Sequence, residues 1–383
     1  MKITIVLGAF LPVPPVMGGG VEKVWFALAP EFARRGHEVV LASRKMPELP
    51  REEMIDGVRH LRVRGFDTPR WLVLLKFLDL LYSLTAMSIL PEADIVVTNT
   101  FWLPILLGNS NRGKVYVHVG RFPKWQMRFY HRAARLQAPS HIVARAVASK
   151  APRLKSKIAV IPYPAPRGAS NAEAPSIQER EKIILFVGRV HPEKGVHVLI
   201  DAFAGGARTV FANWKLMIVG PTEEKFGGGG ESYFASLKRS AEKANGRVIF
   251  AGAIFDPVAL ERTFRSARLF VYPSLAERGE SFGLAPLEAM THGCAVLVSN
   301  LDCFRDFIRD GETGLIFDHR SSSASEALRD KITNVVVDET LLGSVAEAGY
   351  RKSSEYSIAR VADQFLNDFN SLISKSDVAT TNR

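Results

Sequence analysis

Residues 267–298 constrain the fold more than any other stretch. An apolar strand, Ala267 to Tyr272, ends in Pro273-Ser274. A polar loop carrying Glu277, Arg278 and Glu280 follows, and Gly283 opens a helix whose apolar face is Leu284, Leu287 and Met290. Gly293 closes that helix and a second apolar strand, Ala295 to Val298, begins. Strand, loop, helix and strand in this order make a βαβ unit. The helix begins beyond the carboxyl end of a strand, where open parallel sheets place ligands. Its free backbone N–H groups, expected near Ser281, Phe282 and Gly283, favour an anion. Glu280 in the loop and Glu288 on the second turn flank that point, and carboxylates accept from hydroxyls. A molecule with phosphate in the middle and hydroxyls at both ends fits, which is the form of a nucleotide-diphosphate sugar. Two acids at this spacing also fit a solvated loop and an ordinary helix surface.

The alternation continues on both sides. Strands are expected at 2–8, 38–42, 58–63, 93–98, 114–119 and 158–162, with helices at 24–35, 71–90 and 101–107. A second series has strands at 183–187, 215–219 and 248–251 and helices at 196–203, 233–244 and 258–265. Helices at 323–336, 339–352 and 359–373 end the chain. This pattern is that of doubly wound α/β sheets, and 383 residues suffice for two cores. The boundaries expected are 1–164, a Pro-, Ala- and Ser-rich linker at 165–180, 181–350, a helix at 351–375 and a flexible tail at 376–383.

Three further features carry chemistry. Met17-Gly18-Gly19-Gly20-Val21-Glu22 follows the first strand, and its glycines let a backbone approach a ligand. Gly188-Arg189-Val190-His191-Pro192-Glu193-Lys194-Gly195 follows the strand at 183–187. Arg offers a planar fork for phosphate and Lys a movable charge; both also fit an exposed turn. His118 ends a strand beside Gly120, a place suited to a ligand or to a structural hydrogen bond.

Charge narrows the partners. The formal net charge is +11, and ten Lys and Arg lie between Arg121 and Lys157 with no Asp or Glu among them. Phe122, Trp125, Phe129 and Tyr130 are interleaved. No nucleic-acid motif accompanies them, so nucleic acid is not expected; a solvated basic face and an anionic lipid surface remain, and the second is favoured. The apolar run Trp71 to Leu90 contains Lys76 and Asp79, costly in hydrocarbon, and reads as a buried or partly interfacial helix rather than a span. Cys294 and Cys303 form no disulfide or zinc framework. The opening residues make a strand, not a signal sequence.

Glu280-Ser281-Phe282-Gly283-Leu284-Ala285-Pro286-Leu287-Glu288-Ala289-Met290, with the Gly188–Gly195 run, resembles the donor-site signature of family 4 retaining glycosyltransferases of the group 1 type. The resemblance is close over 183–317 and diffuse before. It implies the GT-B fold, two Rossmann-like domains facing across a cleft. It further implies transfer of a hexose-type sugar from a UDP- or GDP-sugar to a saccharide or lipid-linked acceptor, with no metal or other cofactor. Arg189 and Lys194 are implied to bind the donor phosphates, Glu280 the sugar and Glu288 the ribose. Gly19 and Gly20 are implied to lie against the diphosphate, Ile254 near the base and His118 near the reacting sugar. A late helix is implied to return to the first domain. Where the family has a Pro-Asn-Gly-Val-Asp-like turn, this chain has Pro162-Tyr163-Pro164. The setting implied is cytoplasmic, at the inner face of the plasma membrane, in cell-surface polysaccharide, lipopolysaccharide or glycolipid synthesis. A nucleotide-sugar epimerase on this fold and a catalytically idle sugar-nucleotide-binding subunit are the rival readings.

Overall fold

Short apolar runs pair side by side in two separate sheets, and helical runs connect them. The computed structural model describes residues 1–108, 112–165 and 176–381. The chain divides into two units, Met1–Pro166 with Ile358–Arg383, and Arg167–Ser357.

Unit 1 opens with β1 (Lys2–Val6), α1 (Gly20–Arg34), β2 (Glu38–Lys45), β3 (Glu52–Ile55), β4 (Val58–Arg64) and α2 (Leu72–Ile89). It continues with β5 (Ile95–Thr98), α3 (Leu103–Leu107), β6 (Lys114–His118), β7 (Arg135–Ala138), α4 (His141–Lys150) and β8 (Ile158–Val160). The strand order is β3-β4-β2-β1-β5-β6-β7-β8. All neighbours are parallel except β3 and β4, a hairpin turning on Asp56 and Gly57, both at positive φ. The order reverses its direction of travel between β1 and β5, which marks the switch point. Strand residues such as Val6, Val96, Val117 and Leu136 join Tyr82 of α2 and Val143 of α4 in one core.

Unit 2 holds β9 (Glu181–Val187), α5 (Val196–Gly206), β10 (Lys215–Val219), α6 (Gly230–Glu242), β11 (Val248–Gly252), α7 (Pro257–Ser266) and β12 (Ala267–Tyr272). Then come α8 (Leu284–Thr291), β13 (Ala295–Ser299), β14 (Leu315–Phe317), α9 (Ala324–Val337) and α10 (Glu339–Ser353). Its six strands are parallel in the order β11-β10-β9-β12-β13-β14, with the switch point between β9 and β12. The central strands β12 and β13 are buried along their whole length, as strands covered on both faces require.

The last helix, α11 (Ile358–Thr381), belongs to unit 1. Phe365 packs on Trp25 at 5.1 Å and Phe369 on Tyr116 at 4.9 Å. The Tyr116 hydroxyl donates to Asp368 at 2.9 Å, and Arg135 pairs with the same carboxylate at 2.6 Å. The helix runs on to Thr381, through most of the segment expected as a flexible tail. Residues 351–357, expected to start it, belong to unit 2.

Two expectations change. Of the linker at 165–180, residues 166–175 lie outside the described residues, while Ile177 and Arg180 are buried parts of unit 2. Arg180 donates to the carbonyls of His292 and Ala267, and Arg268 donates to those of Gln178 and Arg180. Two arginines thus fasten this segment to the start of the sheet. The basic interval 121–157 contains β7 and α4, which were not expected, and two of its cations are spent internally. Arg135 pairs with Asp368, and Lys157 donates to the carbonyls of His131 and Ala133.

Candidate active site

Two loops meet at the switch point of unit 2. The loop after β9 runs from Gly188 to Gly195, and the loop after β12 from Pro273 to Gly283. Gly195 has φ 67°, and a Cβ there would lie 2.0 Å from the Pro273 carbonyl oxygen, so only glycine lets the loops touch. The Leu275 N–H donates to the Glu193 carbonyl at 2.8 Å. This contact brings Lys194 to Glu280, with Nζ 2.6 Å from Oε2. The side chains are only 9% and 11% exposed. The Ser274 hydroxyl lies 3.1 Å from the same oxygen and 3.3 Å from the Glu193 carbonyl, so its one proton serves either. Among the described residues no donor reaches Glu280 Oε1. Lys194 Nζ also sits 5.3 Å from the centre of the Tyr272 ring. Burial acts to lower the lysine pKa, but Tyr272 and Glu280 together raise it above its ordinary value. The ammonium therefore stays charged at neutral pH.

Arg189 is exposed and donates through Nη1 to the Gly227 carbonyl at 2.7 Å. The glycine-rich loop at 227–230 thus helps to aim this guanidinium. The helix α8 begins at Leu284, with Gly283 as its N-cap at φ 97°. A Cβ on Gly283 would lie 2.5 Å from the Phe304 ring. The N–H groups without a partner inside the helix are therefore those of Gly283, Leu284 and Ala285, and Pro286 has none. The Phe282 ring is buried against Phe307 and Tyr356, so the side chain supports the loop. Ser281, Leu284 and Glu288 are half-buried, and Ile254 is half-buried in the turn after β11. Glu277 is held by Arg320 at 2.7 Å and His319 at 3.0 Å, and the Arg320 hydrogen bond foremost lowers its pKa. That residue fastens the loop.

In unit 1 the glycine loop and His118 come together. Gly19 caps α1 at φ 101°, and a Cβ there would lie 2.2 Å from Glu22 Oε2. Gly20 is the first residue of α1. A Cβ on Gly120 would meet Val21, His118 Nε2 and the Tyr163 hydroxyl within 3.0 Å, so these groups crowd one point. His118 is 2% exposed. The Gln137 amide N–H donates to the Ile161 carbonyl, which turns its Oε1 to His118 Nδ1 at 2.5 Å. Nδ1 therefore carries the proton, and Nε2 accepts from the Tyr163 hydroxyl at 3.1 Å. Burial lowers the imidazole pKa to about 4 against a smaller upward effect of Gln137. His118 is thus neutral with both nitrogens engaged, and a general acid-base role at neutral pH does not fit it. A substrate hydroxyl would reach Nε2 only by replacing Tyr163.

The sequence reading thus missed Tyr272, Ser274, Gly227, Gln137 and Tyr163. Three of these carried a signal, since Tyr272 and Ser274 stand in the strand-end run and Tyr163 replaces the family turn. Gln137 and Gly227 carried none. Gly19, Gly20 and His118 belong to unit 1 and the other expected residues to unit 2.

The family model described as glycosyl transferases group 1 matches residues 169–352. The model described as glycosyltransferase family 4 matches residues 18–165. A phosphatidyl-myo-inositol mannosyltransferase of Mycobacterium leprae is 34% identical over 187 residues, which are 48% of this chain and 45% of that protein. The chain spans about half the length of the curated relatives it matches. The structure of sucrose-phosphate synthase from Thermosynechococcus elongatus superposes with TM-score 0.78 at 19% identity, covering 98% of this chain and 100% of the other. That of Anabaena HepE in complex with UDP does so with TM-score 0.68 at 17% identity, covering 97% and 100%. At such identities the likeness is one of fold. With one model on each half, the chain belongs to the family 4, group 1 glycosyltransferases.

Proposed function

We propose that this chain moves a hexose-type sugar from a nucleotide-diphosphate sugar, UDP- or GDP-linked, to a saccharide or lipid-linked acceptor, with retention at the anomeric carbon. The observation that carries the reading is the Lys194–Glu280 pair at the switch point of unit 2. A buried charge pair there supplies a cation to a diphosphate and a carboxylate to a sugar in one stroke. Among the described residues donors reach only Oε2 of Glu280, so Oε1 is left to accept from a sugar hydroxyl.

In the reaction the bond from the anomeric carbon to the diphosphate oxygen breaks. A bond to the acceptor hydroxyl oxygen forms on the same face, and the hydroxyl proton leaves with the diphosphate. Charge grows on the leaving diphosphate, and Arg189, Lys194 and the N–H groups of Leu284 and Ala285 are the fixed positive groups that stabilise it. These replace a metal ion in this reading. Glu288 takes the ribose hydroxyls and Ile254 lies against the base. In unit 1, His118 positions the acceptor side through its hydrogen bonds. A lipid-linked acceptor would set the enzyme to work at the cytoplasmic face of a membrane, and a relative named for the lipid phosphatidyl-myo-inositol supports that reading.

Calorimetric titration of the protein with UDP, GDP and ADP, with and without EDTA, tests the reading. Binding of one nucleotide unchanged by EDTA supports a metal-free donor site. Absence of binding by all three would end the phosphate roles of Arg189 and Lys194.

A further inference from the structure

Helix α2 is amphipathic the wrong way round for a helix facing water. Its inward side carries Asp79, Tyr82, Ser83 and Ala86. Its outward side exposes Val73, Leu74, Phe77, Leu81 and Leu84, which recur at three- and four-residue spacing as one stripe. Asp79 explains the inward side. Its Oδ2 accepts from the backbone N–H groups of Phe101 and Trp102 at 3.0 and 3.1 Å. The Trp102 indole donates in turn to the Lys76 carbonyl at 2.8 Å. The polar side is thus fastened to unit 1, and the helix lies along it.

The apolar stripe continues into aromatic rings. Lys76 Nζ lies 4.5 Å from the Phe101 ring centre and 4.1 Å from that of Trp125, which packs edge-on against Phe129 at 5.4 Å. Trp71, Trp125 and Phe129 are exposed. Lys124, Arg128 and Arg132 are exposed on the same segment as the two last rings. Thr85 and Ser88, on the far end of the outward side, donate their hydroxyls to helix carbonyls and so bring no unpaired donor to it.

We propose that α2, together with Trp71, Trp125 and Phe129, docks flat on an anionic lipid surface. The apolar stripe enters the acyl boundary and the cations of 121–132 meet the headgroups. This rests on the reading of a lipid-linked acceptor and adds the element that inserts. Charge selects the occupant: an apolar stripe with aromatic rings and cations beside it matches acyl chains under anionic headgroups. A second copy docked face to face would bring like charges together. An 18-residue helix is about 27 Å long, enough to span. Spanning, however, would pull Asp79 off its two amide donors into hydrocarbon.

The test is co-sedimentation of the full chain with vesicles of phosphatidylcholine alone or mixed with phosphatidylglycerol. The expected result is binding to the anionic vesicles only, weakened by salt, with a blue shift of tryptophan emission. The double variant Phe77→Asp, Leu81→Asp alters exposed side chains and is expected to lose about tenfold or more in vesicle affinity. Lys124→Glu with Arg128→Glu is expected to lose affinity as well. Equal binding by wild type and the Asp variant, or no binding, overturns the proposal. So does a wild-type dimer that the Asp variant dissociates, which assigns the stripe to a second copy. Resistance to alkaline carbonate extraction overturns it in favour of a span. Nucleotide calorimetry on the same preparations separates the two readings. Nucleotide binding without vesicle binding removes the docking alone, and vesicle binding without nucleotide binding removes the donor reading alone.

Discussion

The entries from β1 into α1 in unit 1 and from β12 into α8 in unit 2 use one backbone device and opposite chemistry. Each helix starts on a glycine at nearly the same left-handed φ, 101° at Gly19 and 97° at Gly283, beside the switch point of its sheet. Close to the first lie the buried Glu22 carboxyl, whose pKa burial raises, and a neutral imidazole, an amide and a phenol hydrogen-bonded to one another or to backbone. Close to the second lies an ammonium held by a carboxylate. The backbone prepares a place for a ligand, and the neighbouring strand ends decide its charge. Under the proposed function, unit 1 handles uncharged hydroxyls and unit 2 the diphosphate.

The sharpest way to break this contrast is Lys194→Met. It leaves Glu280 buried without its cation and is expected to destabilise unit 2 by about 3–5 kcal/mol, with loss of nucleotide binding. Denaturant unfolding and calorimetry read both effects, and an unchanged affinity would remove the pair from the donor site. Glu280→Gln, by contrast, is expected to bind nucleotide and to lose turnover. The reverse pattern would show that the carboxylate serves binding and not the sugar.

pH separates the units next. His118 in unit 1 has a folded pKa of about 4, below the 6.5 of a free imidazole. The unfolded chain therefore takes up a proton first, and the stabilisation is present above pH 6.5 and lost as pH falls towards 4. The full effect is about 3 kcal/mol. His60, lowered to about 4 chiefly by burial, acts in the same direction. Asp79, raised to about 6 chiefly by burial, acts in the opposite one. The readout is thus the difference in unfolding free energy between wild type and His118→Asn from pH 7 to 4, which is expected to shrink with acid. Lys194 keeps its contribution throughout this window, because its raised pKa costs stability only on the alkaline side.

Smaller effects test the shared device. Gly19→Ala and Gly283→Ala should each cost about 1–2 kcal/mol for the left-handed backbone alone. The rigid Phe304 ring beside Gly283 makes the second the larger. Equal and negligible costs would mean that the caps are not needed. Smallest in stability is Arg189→Ala at an exposed site, within about 0.5 kcal/mol of wild type. Its nucleotide affinity is nevertheless expected to fall about tenfold.

Much of unit 2 was legible because fully buried parallel strands read as unbroken apolar runs and its loops carry family motifs. β9, β10, β12 and β13 fall where the sequence puts them to within two residues. β3 was overlooked although Asp56-Gly57 is a hairpin signal, because Glu52–Ile55 has too little apolar character to suggest a strand. β7 is four residues long and carries Arg135, whose charge is neutralised by Asp368 from a helix more than two hundred residues later. No local pattern shows such a pairing. Lys194 and Glu280 were legible as residue types, but not as an ion pair, because the Gly195–Pro273 approach that creates it is a long-range contact. His118 was placed correctly at its strand end, while its saturation by Gln137 and Tyr163 depends on β7 and on the segment after β8.

The return of α11 to unit 1 has a consequence for biosynthesis. Unit 2 is one continuous segment and emerges from the ribosome complete, whereas unit 1 lacks Phe365 and Phe369 until the segment after unit 2 is made. A nascent chain therefore carries an open seam at Trp25, Phe32 and Tyr116 for the whole time that unit 2 is being synthesised. The half of the protein that is translated first is the half that finishes folding last.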